Sequence, residues 1–130
     1  MLYIYVGLAG MLGALARYGL GLAIAAIWSN PFPFATLTIN LLGSFALGYL
    51  THGLFKQNRV SREVATAVGT GLIGSFTTFS TFSLETILLL ENGRLGLAVT
   101  YVLTSLTFGL FSSWLGYRFA TVRQERRRMR

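Results

Sequence analysis

Four runs of 20 or more largely apolar residues leave this chain little choice of fold. The hydrocarbon core of a bilayer, about 30 Å thick, is crossed by about 20 apolar residues in a helix. Residues 2–28, 35–55, 64–90 and 95–117 each reach that length. Charged residues make up 12% of the chain, against about 25% in a soluble domain, which argues against a water-soluble globule. The pattern predicts an all-α membrane protein: a single domain over residues 1–130, with four transmembrane helices and a basic tail over 118–130. The first run does not read as a cleavable signal peptide, because it lacks a basic n-region, is too long, and is interrupted by Arg17.

Short polar breaks separate the runs: Ser29 to Pro33, Lys56 to Glu63, and Glu91 to Arg94. Such connections make neighbouring helices antiparallel, and four spans bring both termini to one side. That side carries Lys56, Arg59, Arg62, Arg118, Arg123, Arg126, Arg127, Arg128 and Arg130, while the other carries Arg94. The positive-inside rule makes it cytoplasmic, in a cell-membrane protein that spans the bilayer several times. Glycine is frequent within the runs, where small residues let helices approach in lipid. Four helices scarcely enclose a polar path alone, so an oligomer is expected.

Polar groups inside the spans need partners in protein or water. Asn40 shares a helical face with Thr36 and Ser44. It serves either as an interhelical hydrogen-bonding residue or as an amide donor to a passing anion. Arg17 lies deep in the first span, either in a structural role (snorkelling, or meeting freed carbonyls of a neighbouring helix) or attracting ions to an aqueous entrance. The third run is the most informative: Gly69, Gly71 and Gly74 precede Ser75, Thr77, Thr78, Ser80, Thr81 and Ser83, poor material for an uninterrupted helix. A break at mid-membrane is expected near Gly74 to Thr78. Carbonyls freed there are tolerated only when buried in protein, facing water or bound to a cation, and hard oxygens suit an alkali or alkaline-earth ion. Phe76, Phe79 and Phe82 form a helical stripe, which is either packing or a set of positive ring edges able to solvate an anion beside hydroxyl donors. Thr104, Ser105 and Thr107 supply hydroxyls to the fourth run.

Nothing catalytic is present. There are no cysteines and one histidine, His52, and no nucleophile–base pair, paired carboxylates or phosphate-cradling loop. Donors with few fixed charges point to a passive conduit, for an anion rather than a cation.

These residues resemble the CrcB/Fluc family of fluoride channels. The likeness rests on Gly10-x-x-Gly13-Ala14-x-x-Arg17-Tyr18, on Thr36-Leu37-Thr38-Ile39-Asn40-x-x-Gly43-Ser44-Phe45, and on Gly71-x-x-Gly74-x-x-Thr77-Thr78-Phe79-Ser80-Thr81-Phe82-Ser83-x-Glu85. It implies an antiparallel, dual-topology dimer with two pores and selective passive export of fluoride, which lowers its toxicity. It further implies that Asn40 lines the pore, that Phe79 and Phe82 form an aromatic fluoride box, that Ser105 is a donor on the fourth span, and that Thr36, Ser80 and Thr81 add donors. Gly74 and Thr77 carbonyls from both subunits would hold a structural Na⁺ that is not transported. Where some members carry a second fourth-span serine, this chain has Gly109.

The charge bias departs from dual-topology relatives and leaves two expectations: an antiparallel homodimer, if the late-translated arginine tail carries little topogenic weight, or a subunit inserted mainly one way and paired with an oppositely oriented homologue. The partners expected are therefore fluoride, lipid and a second subunit, with no nucleic acid. Two rivals stand. A small four-span proton-coupled multidrug or guanidinium exporter would need an acid in the first span, where this chain has Arg17. A membrane anchor would use the basic tail to hold nucleic acid or anionic lipid.

Overall fold

The computed structural model describes residues 1–55 and 60–129. Lys56 and Arg59 of the expected polar loop, and Arg130 of the tail, lie outside the described residues. Among those described there is no strand. Four helical spans are long and apolar enough to cross a membrane: Leu2–Ala25, Phe34–Phe55, Arg62–Glu91 and Leu95–Arg126.

Helix α1 (Leu2–Ala25) stops short of Trp28. Asn30 and two prolines force a turn there: the Phe32 amide donates to Asn30 Oδ1 (3.1 Å), and Trp28 Nε1 donates to the Phe32 carbonyl (2.9 Å). Helix α2 (Phe34–Leu50) widens into a π-helical segment over Thr51–Phe55. The third span is assembled from pieces. Ser61 caps α3 (Arg62–Thr66) by accepting from the Val64 amide, and a π-helical stretch covers Ala67–Ile73. One turn, α4 (Gly74–Phe76), precedes two extended residues, and α5 (Phe79–Glu91) follows. Gly93, with φ 70°, ends α5, and the Arg94 amide reaches back to the Leu89 carbonyl (2.8 Å). That left-handed position is the one a glycine fills at no steric cost.

Helix α6 (Leu95–Arg128) runs 34 residues without a stop at Tyr117. No Gly or Pro lies between Tyr117 and Arg128, so nothing in the sequence breaks the helix where the apolar stretch ends.

Glycines set the helix spacing. A Cβ on Gly13 of α1 would lie 2.1 Å from the Leu72 carbonyl oxygen, and one on Gly71 would lie 2.7 Å from that of Val6. Helices α2 and α6 meet as closely, with Gly48 against Ser113 and Gly116 against Phe45. These two helices run side by side in parallel. The Ser112 hydroxyl donates to the Leu41 carbonyl, 71 residues apart, and Gln124 donates to that of His52, 72 apart. By that offset Phe34 lies level with Ser105, ten residues into α6, so α2 begins about 15 Å deeper than α6 at 1.5 Å per residue. The stagger leaves a recess of about 360 Å³ at that end of the bundle, lined by Trp28, Asn30, Phe34, Glu85 and Arg94. Beneath it lies a small core of Leu37, Leu89, Ala98 and Tyr101.

Candidate ion pathway

The backbone leaves helical geometry at Thr77 (φ −78°, ψ 160°) and Thr78 (φ −148°, ψ 123°). In lipid each displaced peptide group needs a replacement partner. Asn40 on α2 supplies two at once: its Nδ2 donates to the Thr78 carbonyl (2.9 Å), and its Oδ1 accepts from the Thr78 amide (2.8 Å). The carboxamide thus stands in for a strand edge. This is the interhelical hydrogen-bonding role for Asn40, and it employs one of the two amide protons.

The same bonds decide which carbonyls are left over. In a continuous helix the Gly74 carbonyl would accept from the Thr78 amide, which here points to Asn40. The Thr77 carbonyl would accept from the Thr81 amide, which instead meets the Thr78 hydroxyl (3.2 Å). Gly74 and Thr77 are therefore two of the residues at the break whose regular donors are diverted, beside Ser75 and Phe76, whose regular donors open α5. Both line a groove of about 310 Å³ together with Asn40, Gly43, Ser44 and Phe79. Among the described residues no group of His, Cys, Asp and Glu could hold a metal ion. The oxygens on offer to a cation are these hard carbonyls.

Thr78 is the N-cap of α5, and its hydroxyl also donates to Thr81 Oγ1 (2.9 Å) and lies 3.3 Å from Ser80 Oγ. Ser80 and Thr81 therefore open α5 as one hydroxyl cluster. Thr78→Ala is expected to cost about 1 kcal/mol of stability, read as a lowered unfolding temperature, with Thr78→Ser close to wild type. Phe79 and Phe82 have ring centroids 5.8 Å apart. They differ in setting: Phe79 is 79% exposed, whereas Phe82 packs on Tyr101 at 5.0 Å.

A second polar centre lies beside the first, and sequence reasoning left it unassembled. Glu85 accepts from the Thr36 hydroxyl at one oxygen (2.9 Å) and from the Tyr101 hydroxyl at the other (2.7 Å). Thr36 is buried and Tyr101 fully so. Thr36, expected as a pathway donor, thus gives its proton to Glu85. A carboxyl inside an apolar span requires such donors, and that demand was the available signal; the partner 16 residues further on was not. Tyr101→Phe removes one of them and is expected to cost about 1.5–3 kcal/mol of stability, checked by thermal unfolding in detergent.

Ser105 Oγ is buried and has no hydrogen-bond partner among the described residues. Arg17 is half-buried and lines a cavity of about 410 Å³, with Tyr18, Thr36, Thr78 and Thr81 around it. The site thus gathers Asn40, Thr78, Ser80, Thr81 and Phe79 at the interruption. Thr36, Glu85 and Tyr101 lie one helical turn away, and Ser105, one turn along α6 from Tyr101, hydrogen-bonds to neither group.

Residues 4–117 match the family described as CrcB-like protein, Camphor Resistance (CrcB). A "Fluoride-specific ion channel FluC 1" of Bacillus cereus is 52% identical over 117 residues, 90% of this chain and 85% of the relative. A "Fluoride-specific ion channel FluC 2" of Geobacillus kaustophilus is 48% identical over 120 residues, 92% and 93% of the two chains. One of Desulfitobacterium hafniense, also named FluC 1, is 54% identical over 108 residues, 83% and 93%. These relatives are named as ion channels, a non-enzymatic class. With four membrane-length helices and a family match over nearly its whole length, the chain is a multi-pass membrane protein that belongs to the CrcB family.

Proposed function

We propose that this protein is a fluoride-selective passive channel that lets cytoplasmic fluoride leave the cell. The observation that carries this reading is the identity of about half the residues, over nine-tenths of the chain, with proteins named as fluoride-specific ion channels. The physical chemistry agrees with it. Fluoride is small and strongly hydrated, so a path must replace its water with donors, while a ring of full charges would trap it. The second proton of the Asn40 amide, the Ser80, Thr81 and Ser105 hydroxyls and the edges of Phe79 and Phe82 are neutral donors of this kind. The unpartnered Ser105 hydroxyl supports a role on the path, and Thr36 contributes through Glu85. Arg17 is assigned a structural place beside them.

The working unit is an antiparallel dimer with the interruption of the third span at mid-membrane. The level of Asn40 on α2 corresponds to residue 111 of α6, within its apolar stretch, which supports that depth. Phe79, nearly free on a single chain, calls for a second subunit to cover it. The Gly74 and Thr77 carbonyls of one subunit are too few to complete the shell of an alkali ion. A structural Na⁺ at the dimer centre, which is not transported, takes the same pair from both. The termini are cytoplasmic, and the partner is a second copy of this chain or, in view of the charge bias, an oppositely oriented homologue.

Fluoride efflux from liposomes containing only this purified chain tests the reading, with a K⁺ ionophore and chloride-loaded controls. Fluoride release without chloride release is expected of a selective homodimer. Release that appears only after co-reconstitution with a homologue of opposite charge bias is expected of the heterodimer. Absence of release in both arrangements overturns the channel.

A further inference from the structure

The fourth helix carries charges for which conduction has no use. Beyond Tyr117 it continues through Arg128, with Arg118, Arg123 and Arg126 exposed. Over residues 118–126 these three cations face a single acid, Glu125. The extension is held against the body of the protein. Gln124 donates to the His52 carbonyl (3.1 Å), Arg123 donates to the Tyr49 hydroxyl, and the Phe119 ring meets Phe45 edge-on at 6.0 Å.

What it turns outward does not suit bulk water. Trp114, Arg118, Val122 and Arg126 recur every fourth residue and so share one face. Apolar and cationic side chains alternate along it turn by turn. The Arg118 guanidinium lies 5.4 Å from the centre of the Trp114 ring, a cation–π pair. Val122 is 41% exposed and Phe119, at the edge of the same face, 60%. Tryptophan marks the boundary between hydrocarbon and headgroups, and exposed apolar groups interleaved with arginines belong in that layer. A guanidinium presents a planar fork of donors that matches phosphate oxygens two at a time.

We propose that this face, from Trp114 to Arg126, binds an anionic phospholipid of the cytoplasmic leaflet. Arg118 takes the phosphate, Trp114, one turn deeper, lies against the glycerol and upper acyl chains, Val122, one turn further out, lies among the headgroups, and Arg126 adds charge above them. Such a site ties the end of the bundle bearing both termini to the leaflet surface.

The chain has two tryptophans, at opposite ends of the bundle, and this makes the site observable. In a Trp28→Phe protein all tryptophan emission comes from Trp114. In phosphatidylcholine vesicles a minor fraction of brominated phosphatidylglycerol should quench that emission more than the same fraction of brominated phosphatidylcholine. The expected local enrichment of the anionic lipid is about fivefold for one engaged arginine. Arg118→Gln with Arg126→Gln should bring the two lipids level, whereas Arg94→Gln, at the other end, should leave the preference intact. Equal quenching in the Trp28→Phe protein overturns the site, as does a preference that survives the double glutamine variant. Equal quenching by the two lipids, together with RNA oligonucleotide binding that the double glutamine variant loses, would reassign the arginines to nucleic acid and also overturn it. The readout is emission from Trp114, so its outcome is separate from whether fluoride passes.

Discussion

Asn40→Leu is expected to cut fluoride efflux at least a hundredfold and to lower stability by about 2–6 kcal/mol. Both effects have one cause. Leucine has the branching of asparagine, with two methyl groups in place of the amide oxygen and nitrogen, but leaves the Thr78 amide and carbonyl without the partners they have now. Each orphaned buried group costs about 1–3 kcal/mol. The interruption would then rewind towards a helix or open to water, displacing Ser80, Thr81 and Phe79 together. Asn40→Asp separates the two duties of the side chain. It still accepts from the Thr78 amide but sets a carboxylate oxygen against the Thr78 carbonyl, and it brings negative charge onto the proposed path of fluoride. Its efflux should fall as far as that of the leucine variant. Paired measurements of thermal unfolding and fluoride release in liposomes decide the matter: a leucine variant that melts and conducts like wild type would remove Asn40 from both roles.

Alanine at Gly48 or Gly116 should damage the fold on a comparable scale. The new Cβ would lie 2.3 Å from the Ser113 carbonyl oxygen in one case and 2.2 Å from that of Phe45 in the other. These obstacles are backbone atoms of a packed neighbouring helix, not the tips of flexible side chains, so α2 and α6 must separate. Overpacking typically costs about 1–3 kcal/mol, and a backbone collision sits at or above the upper limit. Separation also breaks the bond from Ser112 to Leu41. Little folded protein should be recovered from the membrane, scored as the monodisperse fraction in detergent. Gly19→Ala is the contrast, since its Cβ meets nothing within 4 Å. It should be neutral or gain up to about 1 kcal/mol from helix propensity.

The spans were legible because lipid imposes a length and an apolar composition that few sequences satisfy by accident. Gly93 and the prolines at 31 and 33 likewise announce their turns through local chemistry. The contacts that define the site were less accessible. Glycines and hydroxyls mark Gly74 to Thr78 as weak helix, but the group that replaces the lost bonds is Asn40, 38 residues away, and no spacing rule couples the two. Glu85 demanded donors, yet the choice of Thr36 and Tyr101 depends on how deep α2 starts relative to α6. The π-helical windings and the length of α6 were not foreseen either. The first have no local signature in the sequence, although one of them contains Gly71, packed against Val6. The second arises because an arginine-rich segment is good helix material whether or not it lies in lipid.

The deep start of α2 has an electrical consequence. A membrane potential falls mainly across material of low dielectric constant, and the recess beside Trp28 and Arg94 is open enough to admit water past the N-terminal end of α6. The insulating layer along α2 is therefore thinner than the bilayer around it. The work available to one ion, about 2.3 kcal/mol per 100 mV, is delivered over a shorter distance, which steepens the local field. A monovalent ion in that layer would feel a larger force per ångström than in a pore of full bilayer length, while the total work done on it stays the same, so the shape of the bundle sets where the potential acts and not how much it delivers.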